Sequence, residues 1–359
     1  MHISGDKLIS ALTKYNCILI FIKGSPDPDS IASSFALKLI CSHLGIKSSI
    51  IAEKKISLPQ NREFVDKLEI PIEFNKPNPG LDKYDAYIIT DHQSAHAEGI
   101  SGKIPCAIHI DHHEKVKEDI NIDYQVINTE VGSTSTIISL LLNDLNIEFN
   151  ETDFMKVTTA LLYGIQTDTD KFTHANKTDY KALDYLSKHF DTSIIKEVSD
   201  LPLSEHTIKL LWKAIENQFA YKDWIIAGIG FIDDKHRDSI AIIADILLKG
   251  DEITTVIVYA AIKTKEGLSL DASFRAKKEN INLNEIIKKI SSQGGARKYK
   301  GAYQINLDYF AKCPDSELLW ELIRLTTNDQ LIKARDNIYV TEIQGVFKKM
   351  KGKLGNFFK

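Results

Sequence analysis

Cys17-Ile-Leu-Ile-Phe-Ile22 is a short, unbroken apolar run, and Lys23-Gly-Ser-Pro-Asp27-Pro-Asp29-Ser30 follows it before a helix-period stretch from Ile31 to Leu44. An apolar run, a polar turn and then a helix mark a buried parallel strand feeding a crossover helix. The motif recurs downstream. Ser48–Ala52, Ala86–Thr90 and Ile104–Ile110 read as further strands, each followed by polar residues, and helical periodicity returns at Ser133–Leu145 and Phe154–Gly164. Strands alternating with helices predict an α/β domain, a parallel sheet with helices on both faces, over residues 1–190.

Residues 191–220 read as a mostly helical, polar linker. A smaller α+β domain is expected over 221–312: strand Trp224–Ile229, helix Ser239–Leu248, strands Thr255–Ile262 and Leu268–Arg275, helix Leu283–Ile290 and strand Tyr303–Leu307. The extension 313–359 holds a helix-like segment, Ser316–Leu325, and a tail with five lysines and no acid after Glu342. A solvated terminus is the expected state of that tail. Trp212, Trp224 and Trp320 lie within apolar patterns and are expected in the core.

The 359 residues suffice for two domains at roughly 100–200 residues each. A formal net charge of -4 gives no dominant basic surface, so a coat for DNA is not expected. Cys17, Cys41, Cys106 and Cys313 are scattered without a CxxC pair, and the opening residues lack a signal-peptide layout. With no apolar run of the ~18 residues a membrane span requires, a cytoplasmic protein is expected.

Four clusters stand where strands or helices end: Asp27-Pro-Asp29 after the first strand, Asp91-His92 after Ala86–Thr90, Asp111-His112-His113 after Ile104–Ile110, and Asp168 in Gly164-Ile-Gln-Thr-Asp-Thr-Asp-Lys171. Each alone has an ordinary explanation; Asp-Pro-Asp-Ser, for instance, is a good turn and helix N-cap. Their conjunction at strand ends is another matter, because ligands of parallel α/β sheets bind at the carboxyl edge. Carboxylates gathered in one place repel unless a cation joins them. Oxygen and imidazole donors without thiolate suit Mn²⁺, with Mg²⁺, Co²⁺ or Zn²⁺ as alternatives.

These motifs resemble the DHH phosphoesterase superfamily, which takes its name from the triplet seen here as Asp111-His112-His113 and includes RecJ-like exonucleases, nano-RNase/pAp phosphatases and exopolyphosphatases. Pro26-Asp27-Pro-Asp29-Ser-Ile-Ala-Ser33 is similar to its first motif, Asp91 to its second and Thr167-Asp168-Thr169 to its fourth. Ser273-Phe274-Arg275 and Gly294-Gly295-Ala-Arg297-Lys-Tyr-Lys-Gly301-Ala302 resemble the DHHA1 substrate domain. The likeness runs in family order from about residue 15 to 312.

The resemblance implies one or two ions held by Asp27, Asp29, Asp91, His112 and Asp168. It implies that Asp111 orients His112, that His113 faces the substrate phosphate, and that a metal-activated hydroxide attacks phosphorus. Arg275, Gly294, Gly295 and Arg297 would grip the rest of the substrate, which is expected to be clamped between the two domains. Two positions depart from the pattern: Lys23 replaces a metal-binding His, and Arg297 replaces a His of the glycine-rich motif. Lysine has no lone pair to give as an ammonium, so Lys23 counts as a catalytic candidate of unknown role, whereas arginine remains a bidentate phosphate ligand. The expected substrate is a small phosphorylated nucleotide (pAp-like) or a short oligoribonucleotide. A degenerate nucleotide-binding protein and an exopolyphosphatase-like enzyme, with Lys298 and Lys300 joining the two arginines, are the alternatives. No stable DNA partner is expected, since the length leaves no room for the DNA-binding domains of RecJ-like enzymes. A homodimer is compatible with the pattern.

Overall fold

A computed structural model describes residues 4–74, 80–114, 116–145, 147–264, 267–277, 281–296 and 299–355, with side chains of the last helix followed as far as Asp336. The chain divides into two compact units, Met1–Leu201 and Pro202–Lys359.

The first unit runs α1 (Gly5–Leu12), β1 (Cys17–Ile22), α2 (Pro28–His43), β2 (Lys47–Ala52), α3 (Pro59–Lys67), β3 (Ile72–Phe74), β4 (Ala86–Thr90), β5 (Cys106–Asp111), β6 (Ile122–Ile127), α4 (Thr134–Leu145), α5 (Glu151–Asp168), α6 (Lys177–Leu186) and α7 (Thr192–Ser199). Its six strands are all parallel, in the order β3-β2-β1-β4-β5-β6. β1 and β4 carry continuous apolar residues because both faces of the sheet are covered. On one face Ile18, Ile20 and Ile22 pack with helix residues such as Leu8, Phe35, Ile138 and Leu161. On the other, Leu19, Phe21, Tyr87 and Ile89 pack with Ala95, Ala97 and Ile100. Ala95, Ala97 and Ile100 come from the connection between β4 and β5, and Leu81 and Tyr84 before β4 join the same cluster.

The second unit runs α8 (Glu205–Asn217), β7 (Gln218–Tyr221), β8 (Trp224–Asp233), α9 (Ser239–Leu247), β9 (Thr255–Lys263), β10 (Leu268–Ala276), α10 (Leu283–Ile290), β11 (Gly294–Ala296), β12 (Lys300–Asn306) and α11 (Ser316–Gly355). Its mixed sheet is ordered β11-β12-β10-β9-β8-β7, with only β8 and β9 parallel. Leu210 of α8 and Ile243 of α9 join one core; Leu283 of α10 and Leu319, Ile323 and Leu331 of α11 join the other.

The stretch 191–220, expected as a helical linker, holds α7, α8 and the start of β7; Val198 of α7 is buried in a core of the first unit and Ala214 of α8 in a core of the second. The first half of α11 packs within the second unit, where Leu319, Ile323 and Leu331 share a core with α10. Arg335 ties it there, paired with Asp223 and lying over the Tyr221 and Trp224 rings. Trp224 is 2% exposed and Trp320 packs beside Tyr259, but Trp212 is 63% exposed, because α8 turns Leu210 and Ala214 inward instead. No described helix is long and apolar enough to cross a membrane.

Candidate metal centre

The first sheet reverses direction at β1 and β4, which are neighbours although two strands separate them in sequence. At such a switch point the connections leave in opposite directions and open a crevice at the carboxyl edge. Asp27 and Asp29 follow β1 there, Asp91 follows β4, and Asp111 ends β5. Asp27 caps α2: its carboxylate accepts from the Ser30 N–H at 2.9 Å, and the Ser30 hydroxyl accepts from the Asp27 N–H. Pro28 sits in the first turn, where its missing N–H costs nothing.

Asp29, Asp91, His112 and Asp168 each offer a ligand atom within 4.8 Å of the others, and Asp91, His112 and His113 form a second, overlapping group. Asp29 is fully buried, and its two oxygens accept the Thr134 and Ser135 N–H groups at 2.7 Å each, at the N-terminus of α4. Burial first, then the Asp168 charge, still push its carboxyl up to about 7. Burial also raises Asp91 well above the carboxylate range, with Asp27 and Asp29 adding repulsion. Asp91 has φ 54, a left-handed conformation that a residue with a Cβ seldom adopts. Asp168 ends α5, where the helix carbonyls disfavour an anion. Burial and mutual repulsion thus oppose the ionised forms of Asp29 and Asp91.

His112 Nε2 is 3.1 Å from Asp168 and 3.5 Å from Asp91, in ion-pair contact without a directed hydrogen bond. Burial alone would lower this imidazole, but the Asp168 and Asp91 carboxylates overrule it and hold its pKa at about 11. The imidazolium thus supplies the positive charge among the acids. Asp111 Oδ2 and His112 Nε2 are both buried without a hydrogen-bond partner, and such orphan donor atoms beside a carboxylate cluster fit a divalent cation.

Asp111 differs from expectation. Its Oδ1 accepts from His113 Nδ1 at 2.7 Å and from the His112 backbone N–H at 2.9 Å, so it orients the His113 ring, while His112 Nδ1 lies 3.4 Å from the Val131 carbonyl. Burial opposes ionisation of Asp111, yet the two histidines overcome it and lower its pKa. Asp27 is outside the 4.8 Å groups, although its charge reaches Asp91 and Asp29.

Lys23 is not among the grouped ligands either. Its ammonium donates to the His96 carbonyl at 2.6 Å and to Ser94 Oγ at 3.4 Å. His92 bonds within its own turn, Nδ1 meeting the Ser94 amide at 3.0 Å. In the second unit Arg275 is held by Asp245 at 2.6 Å and donates to Ser273 Oγ at 2.8 Å. Gly294 is pressed against β12, where a Cβ would fall 2.8 Å from the Ala302 carbonyl oxygen; Gly295 has more room. Arg297 and Lys298 lie outside the described residues.

Several supporting residues carry no sequence signal. Thr134 donates to Asp91 at 3.3 Å, and Asp179 accepts from the Gly132 and Asn176 amides and from Thr136, fixing the entry to α4. A lone acid in a polar helix gives nothing to read in advance.

Four acid and imidazole donors at the carboxyl edge of a parallel sheet thus define a candidate divalent-metal centre in a two-unit α/β protein. Residues 17–165 match the model of the DHH family, N-terminal domain. The chain is similar to an uncharacterized protein of Methanocaldococcus jannaschii, 32% identical over 309 residues that cover 85% of this chain and 61% of that one. A second uncharacterized protein of the same organism is 29% identical over 178 residues, 48% of this chain and 51% of its own. The chain therefore spans less than two thirds of the length of either relative. Among solved structures, an exopolyphosphatase-related protein from Bacteroides fragilis shares the fold with a TM-score of 0.63 at 16% identity, covering 92% of this chain and 97% of that one.

Proposed function

We propose that the protein is a metal-dependent phosphoesterase that hydrolyses a small phosphorylated nucleotide or a short oligoribonucleotide. The observation that carries this reading is the convergence of Asp29, Asp91, His112 and Asp168 within 4.8 Å in a DHH-family domain. Asp91, His112 and Asp168, with Asp29 beside them and Asp27 at the rim, would hold the metal, for which Mn²⁺ suits the oxygen-rich donor set. When bound, a divalent cation supplies a water acidified toward neutral pH and positive charge for the phosphoryl oxygens.

The chain's own residues do the rest. Asp91 enters the crevice at the strained residue after β4, and Thr134 steadies its carboxylate. His112 must give up its proton to act as a ligand, so metal binding and proton release are linked. Asp111 keeps a proton on His113 Nδ1 and fixes that ring, leaving Nε2 as the nitrogen offered to a phosphate oxygen. In the second unit Arg275 is the phosphate-gripping candidate. Asp245, 50% exposed, keeps its fork in place and would have to yield part of it to the substrate.

Mn²⁺-dependent release of phosphate or nucleotide from pAp, a short RNA and polyphosphate, with Asp168→Ala in parallel, tests the proposal. Hydrolysis of one substrate that disappears in the folded variant supports it and assigns the class. Equal rates in the variant overturn the metal-site assignment. Mn²⁺ binding without hydrolysis of any of the three would instead favour a nucleotide-binding protein without turnover.

A further inference from the structure

Asp91 opens a turn, residues 91–97, that makes no helix or strand, and its left-handed backbone must be maintained by contacts from outside. Several side chains supply them, among them the Tyr87 hydroxyl, which donates to the Ala95 carbonyl at 3.0 Å, and Ser101 Oγ, which accepts the Ala97 N–H at 2.9 Å. From the β1 side, the Lys23 ammonium donates to the His96 carbonyl at 2.6 Å. From the far side, the Glu118 carboxylate accepts the Ala95 N–H at 2.7 Å, the His96 N–H at 3.0 Å and the Ser94 hydroxyl at 3.0 Å. From β5, fully buried His109 meets the His92 carbonyl through Nε2 at 2.8 Å, its Nδ1 being 3.0 Å from the Gln125 amide nitrogen. That amide donates to Nδ1, so the ring carries its hydrogen on Nε2 and donates to the carbonyl.

The division of labour follows charge: the cation takes a carbonyl, and the anion takes converging N–H groups as in an anion-binding nest. Ser94 Oγ, 3.4 Å from the Lys23 ammonium and bonded to Glu118, links the two.

We propose that Lys23 and Glu118 are positioning residues that clasp the 91–97 turn and thereby hold Asp91 ready to ligate the metal. The inference rests on the metal-dependent reading above, and it gives Lys23 a role that is neither ligation nor contact with substrate.

The test uses the full chain with Lys23→Met, Glu118→Gln and the conservative Lys23→Arg. Mn²⁺ binding is read by calorimetry, and hydrogen exchange of the Ala95 and His96 amides is read without metal. Loss of a group that orients a ligand weakens metal binding by about 10- to 100-fold. That weakening is expected in Lys23→Met and Glu118→Gln with little change in melting temperature, with faster exchange at both amides and with recovery in Lys23→Arg. Turnover at saturating Mn²⁺ should return toward wild type, because the fault lies in metal binding. Unchanged Mn²⁺ affinity in both variants overturns the proposal. A wild-type chain that binds no Mn²⁺ overturns the metal reading instead, and the exchange rates then decide whether the clasp exists. Should one variant fail to fold, the other carries the same comparison.

Discussion

At the scale of single residues, the centre is a group of acids that the fold holds against their preference. His112 is protonated in its midst with a pKa of about 11, against an ordinary 6.5, and Asp29 is raised to about 7 from 3.8. The signs agree. A raised histidine contributes stability that is complete below pH 6.5 and is lost as pH climbs through its folded value. A raised carboxyl favours the fold as pH falls through about 7 toward its unfolded value. In both cases the folded state binds more protons than the unfolded one, so metal-free stability should fall as pH rises. Asp111, lowered, acts in the opposite sense only near and below its ordinary 3.8. Melting the chelated protein at pH 6 and pH 9 checks this: the lower pH should give the higher midpoint. Saturating Mn²⁺ should shrink or reverse the difference, since it needs deprotonated donors. A pH-independent midpoint in chelator would contradict the raised values of His112 and Asp29.

Among secondary-structure elements, the tightest tolerance is where α5 crosses the starts of α2 and α4. A Cβ on Gly164 would lie 2.3 Å from Ser135 Oγ and 3.2 Å from the Asp29 backbone. Alanine normally favours a helix over glycine by about 1 kcal/mol, but overpacking costs about 1–3 kcal/mol. Gly164→Ala should therefore destabilise by about 1 kcal/mol net and weaken Mn²⁺ binding, because the displaced atoms are those that seat Asp29. A stabilised variant with full metal affinity would contradict this packing. The same elements show what the sequence could convey. β1 and β4 were legible to the residue because both are continuous apolar runs between turns. β6 was not, since it buries only Tyr124 and Val126 in alternation, and α6 was not, since among its ten residues only Asp179, Ala182 and Leu186 are buried. The nearness of Asp29, Asp91, His112 and Asp168 was legible in part because their clusters follow strand and helix ends, while their reading as one ligand set came from the resemblance to the DHH superfamily. The partner of Asp111 and the clasp of Lys23, Glu118 and His109 were not legible, because they depend on contacts between residues distant in sequence.

Over the whole chain, the grouped candidate ligands Asp29, Asp91, His112, His113 and Asp168 lie in the unit Met1–Leu201, and the three tryptophans, Trp212, Trp224 and Trp320, lie in Pro202–Lys359. Each unit has its own buried cores. Tryptophan fluorescence therefore reports on the second unit, while far-ultraviolet circular dichroism reports on helices of both. A ligand at 100 times its dissociation constant stabilises the unit that binds it by about 2.7 kcal/mol. With a urea dependence of about 1–3 kcal/mol per molar, the midpoint should move by roughly 1 M. In urea titrations with and without Mn²⁺, the dichroism curve should acquire a later component while the fluorescence midpoint stays in place. If fluorescence moves by the same amount, the two units unfold as one cooperative body, and metal bound in the first is felt by the core around Trp224. If neither signal moves at saturating Mn²⁺, the carboxylate cluster does not bind that ion.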